Sequence, residues 1–200
     1  FSRKHKKKSD LFSALIMLFP SFLVLIPFFI FPLFYAFQLS LWGGKRNTGE
    51  FVGLKNYWIA FQNPLFWQSL KVTIYYALMT VPATLILGFC IAYLLSKIIY
   101  GKSFLRILFF VPYVTSTVAV AMVWRIFYNP QVGLFNYLLS FCGLPIQRWL
   151  LEPRGILYIL TGGIVPPQFG PSLALVCISL FDIWHTFGFA VVVFLAGMST

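Results

Sequence analysis

The sequence predicts an all-α polytopic membrane protein that crosses a lipid bilayer about four times. Hydrophobic residues make up 60% of its 200 residues and charged residues only 10%, whereas soluble domains carry about 25% charged residues. Such a chain has too few charges to cover a globular surface with polar side chains. Its charge-poor stretches are also long enough to cross the hydrocarbon core, which takes a helix of about 20 residues. Lipid and neighbouring apolar segments must therefore surround most of the chain.

Prolines mark the first predicted span, which covers residues 11–41. Pro20, Pro27 and Pro32 would argue against a helix in water, but neighbouring helices can re-satisfy the freed carbonyls inside a bilayer. We therefore expect one kinked or tilted transmembrane helix here. Three further spans are predicted, at residues 72–96, 107–125 and 172–197.

The segments between the spans are predicted from their polar and aromatic residues. Residues 1–10 form a basic arm and residues 97–106 a short loop. Residues 42–71 are too polar to span, and Trp and Tyr favour the headgroup level, so we expect a segment lying along the interface. Residues 126–171 contain Asn-Pro and Gly-Leu-Pro turn signals and are predicted to hold one or two short interfacial helices.

The density of Lys and Arg predicts the orientation. The arm and the 97–106 loop hold eight of these cations in 20 residues, whereas residues 42–71 and 125–171 hold seven in 77. Because cytoplasmic loops carry the excess of Lys and Arg, we expect the N-terminus and the loop to be cytoplasmic. The two longer segments are then extracytoplasmic. The predicted topology anchors are the loop residues Lys97, Lys102 and Arg106.

No catalytic or metal-binding constellation is visible in the sequence. The chain has four acidic residues, no phosphate-binding loop, no paired carboxylates, and no HExxH or GxSxG motif. Cys90, Cys142 and Cys177 lie far apart and form no CxxC pair, so we interpret them as small apolar packing residues. The net charge of +11 does not indicate a nucleic-acid partner, because the basic residues lie between apolar runs rather than along one face.

One ionisable pair lies inside the fourth predicted span. Asp182 and His185 are three residues apart and therefore share a helix face. Ionisable groups within a span are costly and usually face a bundle interior or a water-filled cavity. Two interpretations remain open. The face lines a polar path for a solute, or the pair is structural and Asp182 accepts a hydrogen bond from His185 or from another span.

Small and hydroxylated residues give two weaker signals. Gly88, Ala92 and Ser96 repeat at intervals of four residues and would let another helix approach closely. Thr115 and Ser116 belong to a polar patch in the third predicted span. Hydroxyl groups there can bond to carbonyls of the preceding turn, or they can contact a solute.

Several stretches of the sequence carry recognisable motifs. Residues 51–57 read FVGLKNY, residues 104–112 read FLRILFFVP, and residues 124–136 read WRIFYNPQVGLFN. Residues 182–185 read DIWH and residues 194–198 read FLAGM. In this order and spacing, these stretches resemble the sugar-type permeases of bacterial ABC importers, related to maltose and glycerol-phosphate permeases. The residues that match the family's motifs are Gly53, Asn56, Tyr57, Pro112, Asn129, Pro130, Gly133 and Asn136.

The resemblance implies the type I ABC importer permease fold, of which this chain would hold about four of about six transmembrane helices. It implies import of a sugar, an oligosaccharide or a related polyol phosphate by alternating access, across the bacterial cytoplasmic (inner) membrane. The implied partners are a second permease subunit, a cytoplasmic ABC ATPase dimer and an extracytoplasmic solute-binding protein, besides membrane lipid. ATP would be used by the ATPase, so this chain would bind no cofactor and would not itself be an enzyme.

The chain departs from the family's pattern in two places. Residues 157–170 are longer and richer in Gly and Pro than the family pattern leads us to expect. The family's coupling helix, with its E-A-A motif, would begin after Thr200, and the first residue is Phe1. We therefore expect this sequence to be a piece of a longer protein.

Two other function classes compete with the transporter hypothesis. A membrane-embedded lipid-modifying enzyme would need catalytic acids, His pairs or metal ligands near an interface, and only Asp182 and His185 are available. A structural membrane subunit without a solute pathway would have fully apolar spans, which the same two residues weakly contradict.

Overall fold

The structure is a computed structural model that describes residues 16–44, 49–98 and 100–198. Across these residues the regular elements are helices, and the strand-like pairings are two isolated bridges. The predicted helical class is therefore confirmed. The predictions for the arm at residues 1–10, for residues 11–15 of the first span and for residues 45–48 of the following loop lie outside the described residues. The chain forms two compact units, residues 1–67 and 68–200, which we describe in turn.

Helix α1 (Ile16–Ser40) of the first unit is long and apolar enough to cross a membrane. A π-helical turn at Ile26–Ile30 interrupts the regular series of α-helical hydrogen bonds. Pro27 has no N–H to donate, and its ring crowds the carbonyl of Leu23 four residues earlier. A wider turn accommodates both effects. The Pro-containing first span is thus a continuous helix with a local change of pitch.

The FVGLKNY motif fastens the end of α1 to the short helix α2 (Lys55–Gln62). The Asn56 side-chain amide donates to the carbonyls of Ser40 and Trp42, at 2.8 and 3.0 Å, and the Tyr57 and Ser40 hydroxyls lie 2.6 Å apart. These bonds satisfy carbonyls that a helix end leaves without partners. Gly53 adopts a left-handed φ of 57° in the turn before α2, a conformation that favours glycine.

Helix α3 (Pro64–Lys97) begins earlier than the predicted second span at residues 72–96. The Asn63 side chain accepts a hydrogen bond from the Leu65 N–H at 2.9 Å, so Asn63 caps the helix and Pro64 occupies its first position. With 34 residues, α3 is about 51 Å long and exceeds the hydrocarbon thickness of about 30 Å. Part of the segment predicted to lie along the interface is therefore the first turns of α3.

The prediction of a single helix for the third span, at residues 107–125, is wrong. This span is divided into α4 (Lys102–Val114) and α5 (Thr117–Phe127), which are bent by 90° relative to each other. Pro112 lies in the last turn of α4, and its carbonyl accepts a 2.6 Å hydrogen bond from the Thr115 hydroxyl. That carbonyl would accept from the Ser116 N–H if the helix continued. Thr115 and Ser116 instead adopt extended backbone, with ψ values of 151° and 116°.

Helix α8 (Leu173–Met198) agrees with the fourth predicted span within one residue at each end. Two glycines bring its neighbours close. A Cβ at Gly88 of α3 would lie 2.6 Å from the Ala190 side chain, and Gly188 of α8 lies against the backbone of Phe109 in α4. With Ala92 buried in the same α3–α8 contact, two members of the predicted small-residue stripe lie at this interface. Ser96 is only half-buried, and its hydroxyl donates to a carbonyl of its own helix.

The segment between α5 and α8 contains α6 (Leu134–Phe141), a 3₁₀ turn at Trp149–Leu151, and α7 (Ile156–Leu160). Asn136 ties these pieces together, with 5% of its surface exposed. Its amide donates to the carbonyls of Pro130 and Gln147, and its oxygen accepts from the Gln147 N–H and the Trp149 indole, all within 3.0 Å. Every polar site of this buried side chain is thereby satisfied.

The other residues of the same motif shape the turn that leads into α6. The Asn129 side chain accepts from the N–H groups of Gln131 and Val132, at 2.8 and 3.2 Å. Gly133 packs against the backbone of Asn129, where a side chain would not fit. The motif therefore specifies a compact turn and its anchor.

An ion pair fixes the chain just before α8. Glu152 is buried, and its carboxylate accepts two hydrogen bonds of 2.6 and 2.7 Å from the Arg154 guanidinium. These bonds lower the pKa of Glu152 below its ordinary value of 4.5, although burial acts in the opposite direction. The backbone carbonyls of Glu152 and Arg154 also accept from the N–H groups of Ala174 and Leu173, which fixes the start of α8.

We predict that Gly188→Ala destabilises the protein by about 1–3 kcal/mol, because the added methyl group would collide with the backbone of α4. The measurement is the thermal unfolding of the detergent-solubilised protein. The matched control is Gly197→Ala in the same helix, where a Cβ meets no atom within 4 Å and helix propensity favours Ala. Equal melting temperatures for the two variants would contradict the close α4–α8 contact.

We predict that Glu152→Gln reduces the loss of stability in acid. A carboxylate whose pKa is lowered by folding stabilises the native state above its unfolded pKa, and this contribution is lost as the pH falls through the lower folded value. Unfolding of the parent should therefore become easier as the pH drops below 4.5, and this component should be absent from the variant. Arg148→Gln removes a cation that lowers the pKa of Glu152 through its charge alone, without a hydrogen bond, so it should retain most of this component.

Candidate functional site

Asp182 lies ten residues into α8 and faces α3. The Tyr76 hydroxyl of α3 interacts with its carboxylate, and Thr186 donates to its backbone carbonyl at 2.7 Å. Thr80, one turn beyond Tyr76, is 4% exposed and donates to the Tyr76 carbonyl at 2.8 Å. Tyr76 therefore places a polar group beside the carboxylate at the contact between two apolar helices.

His185 faces a different neighbour, the bend between α4 and α5. Only 8% of its surface is exposed, and its Nε2 atom lies 3.5 Å from the Thr117 hydroxyl at the start of α5. Its ring lies against Tyr113 of α4 and Phe181 of its own helix. Tyr113 in turn stacks on Phe189, with 4.9 Å between the ring centroids. The imidazole therefore contacts both halves of the bent pair.

The shared helix face of Asp182 and His185 does not make them partners of each other. No hydrogen bond or ion pair joins them, although both residues belong to the described part of the chain. Each instead contacts a side chain on another helix, Tyr76 or Thr117.

Thr115 and Ser116 are exposed at the bend and line an open cavity of about 880 Å³. A second open cavity, of about 590 Å³, lies between α3, α8 and the 3₁₀ turn. The two cavities share a wall of three aromatic rings, Trp124, Phe135 and Trp184. Both surfaces are mainly apolar, with hydroxyl groups at one end of the larger cavity. Such a site can hold a neutral ligand that has both hydroxyl groups and an apolar face.

Sequence reasoning missed the aromatic wall. Trp usually marks the ends of a span, whereas Trp184 is the twelfth residue of α8 and its ring packs 5.4 Å from that of Trp124. A tryptophan in the middle of a predicted span was the available signal.

The remaining predicted residues lie away from these cavities. Lys97, at the end of α3, places its ammonium 5.3 Å from the centre of the Tyr93 ring. Lys102 and Arg106 lie in the first turns of α4. Among the described residues no group of His, Cys, Asp and Glu side chains forms a metal site, and the three cysteines carry free thiols.

Comparisons with known proteins find relatives that are named as transporter permeases. No protein-family model matches the chain. It is 30% identical to the trehalose/maltose transport system permease of Thermococcus litoralis, over 92% of this chain and 57% of the relative. It is 28% identical to a probable ABC transporter permease of Pyrococcus horikoshii, over 96% of this chain and 61% of the relative. An inner membrane ABC transporter permease of Escherichia coli is 27% identical, over 100% of this chain and 64% of the relative.

Solved structures agree with these relatives. The fold matches a bacterial ABC transporter involved in the import of the acidic polysaccharide alginate, with a TM-score of 0.69, 19% identity, and coverage of 100% of this chain and 62% of the other. The alginate ABC transporter in complex with an alginate pentasaccharide-bound periplasmic protein also gives a TM-score of 0.69, at 20% identity. The chain spans about three fifths of the length of the relatives it matches.

We predict that Tyr76 and Asp182 are energetically coupled. In a double-mutant cycle with Tyr76→Phe and Asp182→Asn, the effects on thermal stability should be non-additive by about 0.6 kcal/mol, the typical value for a hydrogen bond between membrane helices. Tyr93→Phe on the same helix serves as the distant control and should combine additively with Asp182→Asn. Additivity in both cycles would show that the Tyr76 hydroxyl does not stabilise the carboxylate.

Proposed function

We infer that this chain, a homologue of ABC transporter permeases with the fold of an ABC importer permease, is the transmembrane permease of an ATP-driven importer. The proposed solutes are sugars, oligosaccharides or related polyol phosphates. The observation that carries this proposal is the similarity over nearly the whole chain to a trehalose/maltose permease, together with the fold of an alginate importer. The two alternatives, a lipid-modifying enzyme and a structural subunit, are not supported by these relatives.

The proposed assembly supplies what this chain lacks. The sequence has no nucleotide-binding loop, so ATP is hydrolysed by a cytoplasmic ABC ATPase dimer and the permease is not itself an enzyme. A second permease subunit completes the pathway, and an extracytoplasmic solute-binding protein delivers the solute. A structural relative that is complexed with a periplasmic protein supports the last of these partners.

The proposed orientation places the N-terminus and the 97–106 turn in the cytoplasm of a multi-pass inner-membrane protein. Support comes from the excess of Lys and Arg around this turn. The segments 42–71 and 126–171 then face outwards, where a delivering protein docks. In this orientation the break between α4 and α5 lies within the membrane, where non-helical backbone is tolerated only if it is buried in protein or lines a water-filled cavity.

The proposed pathway runs past the bend and the polar face of α8. His185 contacts the start of α5, and the hydroxyls of Thr115 and Ser116 line the larger cavity. Asp182 is the polar group of the neighbouring α3–α8 contact. Alternating access moves packed helices around a fixed site, and Gly88 and Gly188 let α3 and α4 pack closely against α8.

We predict that Asp182→Leu in the complete assembly lowers uptake at least about tenfold, which corresponds to about 1.4 kcal/mol, while membrane abundance stays at the parent level. The variant removes the one carboxylate of α8 from the proposed polar path. Uptake of labelled trehalose, maltose and acidic oligosaccharides is measured beside quantitative immunodetection of the permease.

Ser179→Ala is the matched control for this prediction. It removes a fully buried hydroxyl that has no hydrogen-bond partner, three residues from Asp182 on the same helix, and should leave uptake unchanged. If Asp182→Leu lowered abundance and uptake in parallel, the carboxylate would have a structural role and not a role in the pathway.

A further inference from the structure

Residues 155–171 form a closed loop directly before α8. Gly155 pairs with Ser172 across the neck of the loop, and the N–H groups of Ile156 and Gly155 donate to the carbonyls of Pro171 and Pro167, at 2.9 and 2.8 Å. The loop contains α7 and a tip in which Gly162 and Gly163 adopt left-handed backbone. This is the segment in which the sequence departs from its family's pattern, and the proposed transport mechanism does not use it.

The inner face of the loop packs against the first turns of α8. Ile156 and Ile159 of α7 pack against a cluster formed by Tyr128, Leu173 and Cys177. Leu173 is the first residue of α8 and Cys177 lies one turn further in. With 26 residues, α8 is about 39 Å long and exceeds the hydrocarbon thickness of about 30 Å by about one turn at each end. The loop therefore lies at the boundary between headgroups and hydrocarbon.

The outer face of the loop is apolar and uncovered. Leu160, Ile164 and Phe169 are exposed to 74%, 87% and 62%. Residues 155–171 contain no charged side chain. This exposed apolar surface lies beside the start of a helix that is long and apolar enough to cross a membrane, a position at which lipid can cover it.

The backbone of the loop is suited to a poorly hydrated environment. Three of its residues, Pro166, Pro167 and Pro171, have no N–H group to satisfy. The N–H groups of Gly163 and Phe169 donate to carbonyls within the loop, at 2.9 and 3.0 Å. The Thr161 hydroxyl donates to the carbonyl of Leu157 and accepts from a further N–H of the tip. Internal bonding of this kind lowers the cost of leaving water.

Amphipathic side chains mark the headgroup level beside the loop. The Arg154 guanidinium lies 5.2 Å from the centre of the Tyr158 ring and, despite its bond to Glu152, is half-exposed. Trp149 precedes Arg154 by five residues, and its ring packs 5.7 Å from that of Tyr128. Tyr, Trp and Arg are the residues that favour the membrane interface, and a half-exposed guanidinium can bond to lipid phosphate.

We propose that the loop at residues 155–171 is a membrane-interface anchor. Leu160, Ile164 and Phe169 insert into the hydrocarbon of the leaflet in which α8 begins, and Arg154 contacts the phosphate groups of that leaflet. In the proposed orientation this is the outer leaflet. The inference rests on the membrane location of α8, not on the identity of the solute or on the ATPase. The anchor can therefore be refuted while the proposed function stands, and the proposed function can be refuted while the anchor stands.

The test measures the depth of residue 164 in the full transporter without solute or ATP. A background of Cys90→Ser, Cys142→Ser and Cys177→Ala carries Ile164→Cys labelled with an environment-sensitive fluorophore. The transporter is reconstituted in liposomes of phosphatidylethanolamine and phosphatidylglycerol. The expected result is blue-shifted emission that is quenched by lipids with a nitroxide near the headgroup and not by aqueous iodide. Gln168→Cys, a polar and exposed position of the same loop, should be quenched more by iodide.

Two outcomes would overturn the proposal. Quenching of residue 164 by iodide as strong as that of residue 168 would place the loop in water. Protection of residue 164 from both quenchers would place it in a protein contact, with the second permease or the binding protein. As a measurement that does not depend on the cysteine substitutions, the parent transporter is also treated with a photoreactive phospholipid. Lipid adducts on residues 160–169, reduced by Ile164→Lys, are expected, and their absence would refute the anchor.

Discussion

Inside a bilayer no water is available to bond to a peptide N–H or carbonyl group, and the irregular parts of this structure follow from that constraint. The π-helical turn around Pro27 keeps α1 continuous where a proline removes a donor. At the bend, the Thr115 hydroxyl takes the carbonyl that the ended helix leaves free. At the end of α1, the Asn56 amide does the same for two carbonyls. At the bend and at the end of α1, the freed carbonyls thus have a polar partner supplied by a nearby side chain.

The family motifs can be read in the same physical terms. The Asn56 amide joins α2 to the end of α1, and the Asn136 amide joins α6 to the backbone at Pro130 and Gln147. Gly133 is a position where the backbone of Asn129 leaves no room for a side chain. These residues hold the segments between spans in a defined conformation. Residues of the proposed pathway lie in the same motif stretches: Asp182, Trp184 and His185 belong to residues 182–185, and Trp124 and Phe135 belong to residues 124–136. The motif stretches therefore hold both residues that fix the backbone and residues that line the proposed pathway.

Hydropathy and charge predicted the helical class, and they placed the ends of α8 to within one residue. They did not reveal the bend at Thr115, because hydropathy measures how apolar a stretch is and not the direction in which it runs. They also placed the start of α3 too late, because Phe66, Trp67 and Gln68 look interfacial although they are helical. For Asp182 and His185, the spacing in the sequence predicted that the two side chains share one face of the helix. Only the packing of α3 and of the bent pair around α8 decides which partner each side chain meets.

Helices α4 and α5 meet at a right angle, so a rotation of one about its own axis displaces the other. A rotation of α4 about its own axis leaves α4 in place but sweeps the far end of α5 sideways. Helix α5 has 11 residues and is about 16 Å long, so a turn of about 10° moves its end by about 3 Å. The end of α5 carries Trp124, which belongs to both cavities. A small torque applied near the 97–106 turn would thus change the width of both spaces at once, without any helix having to slide along its neighbour.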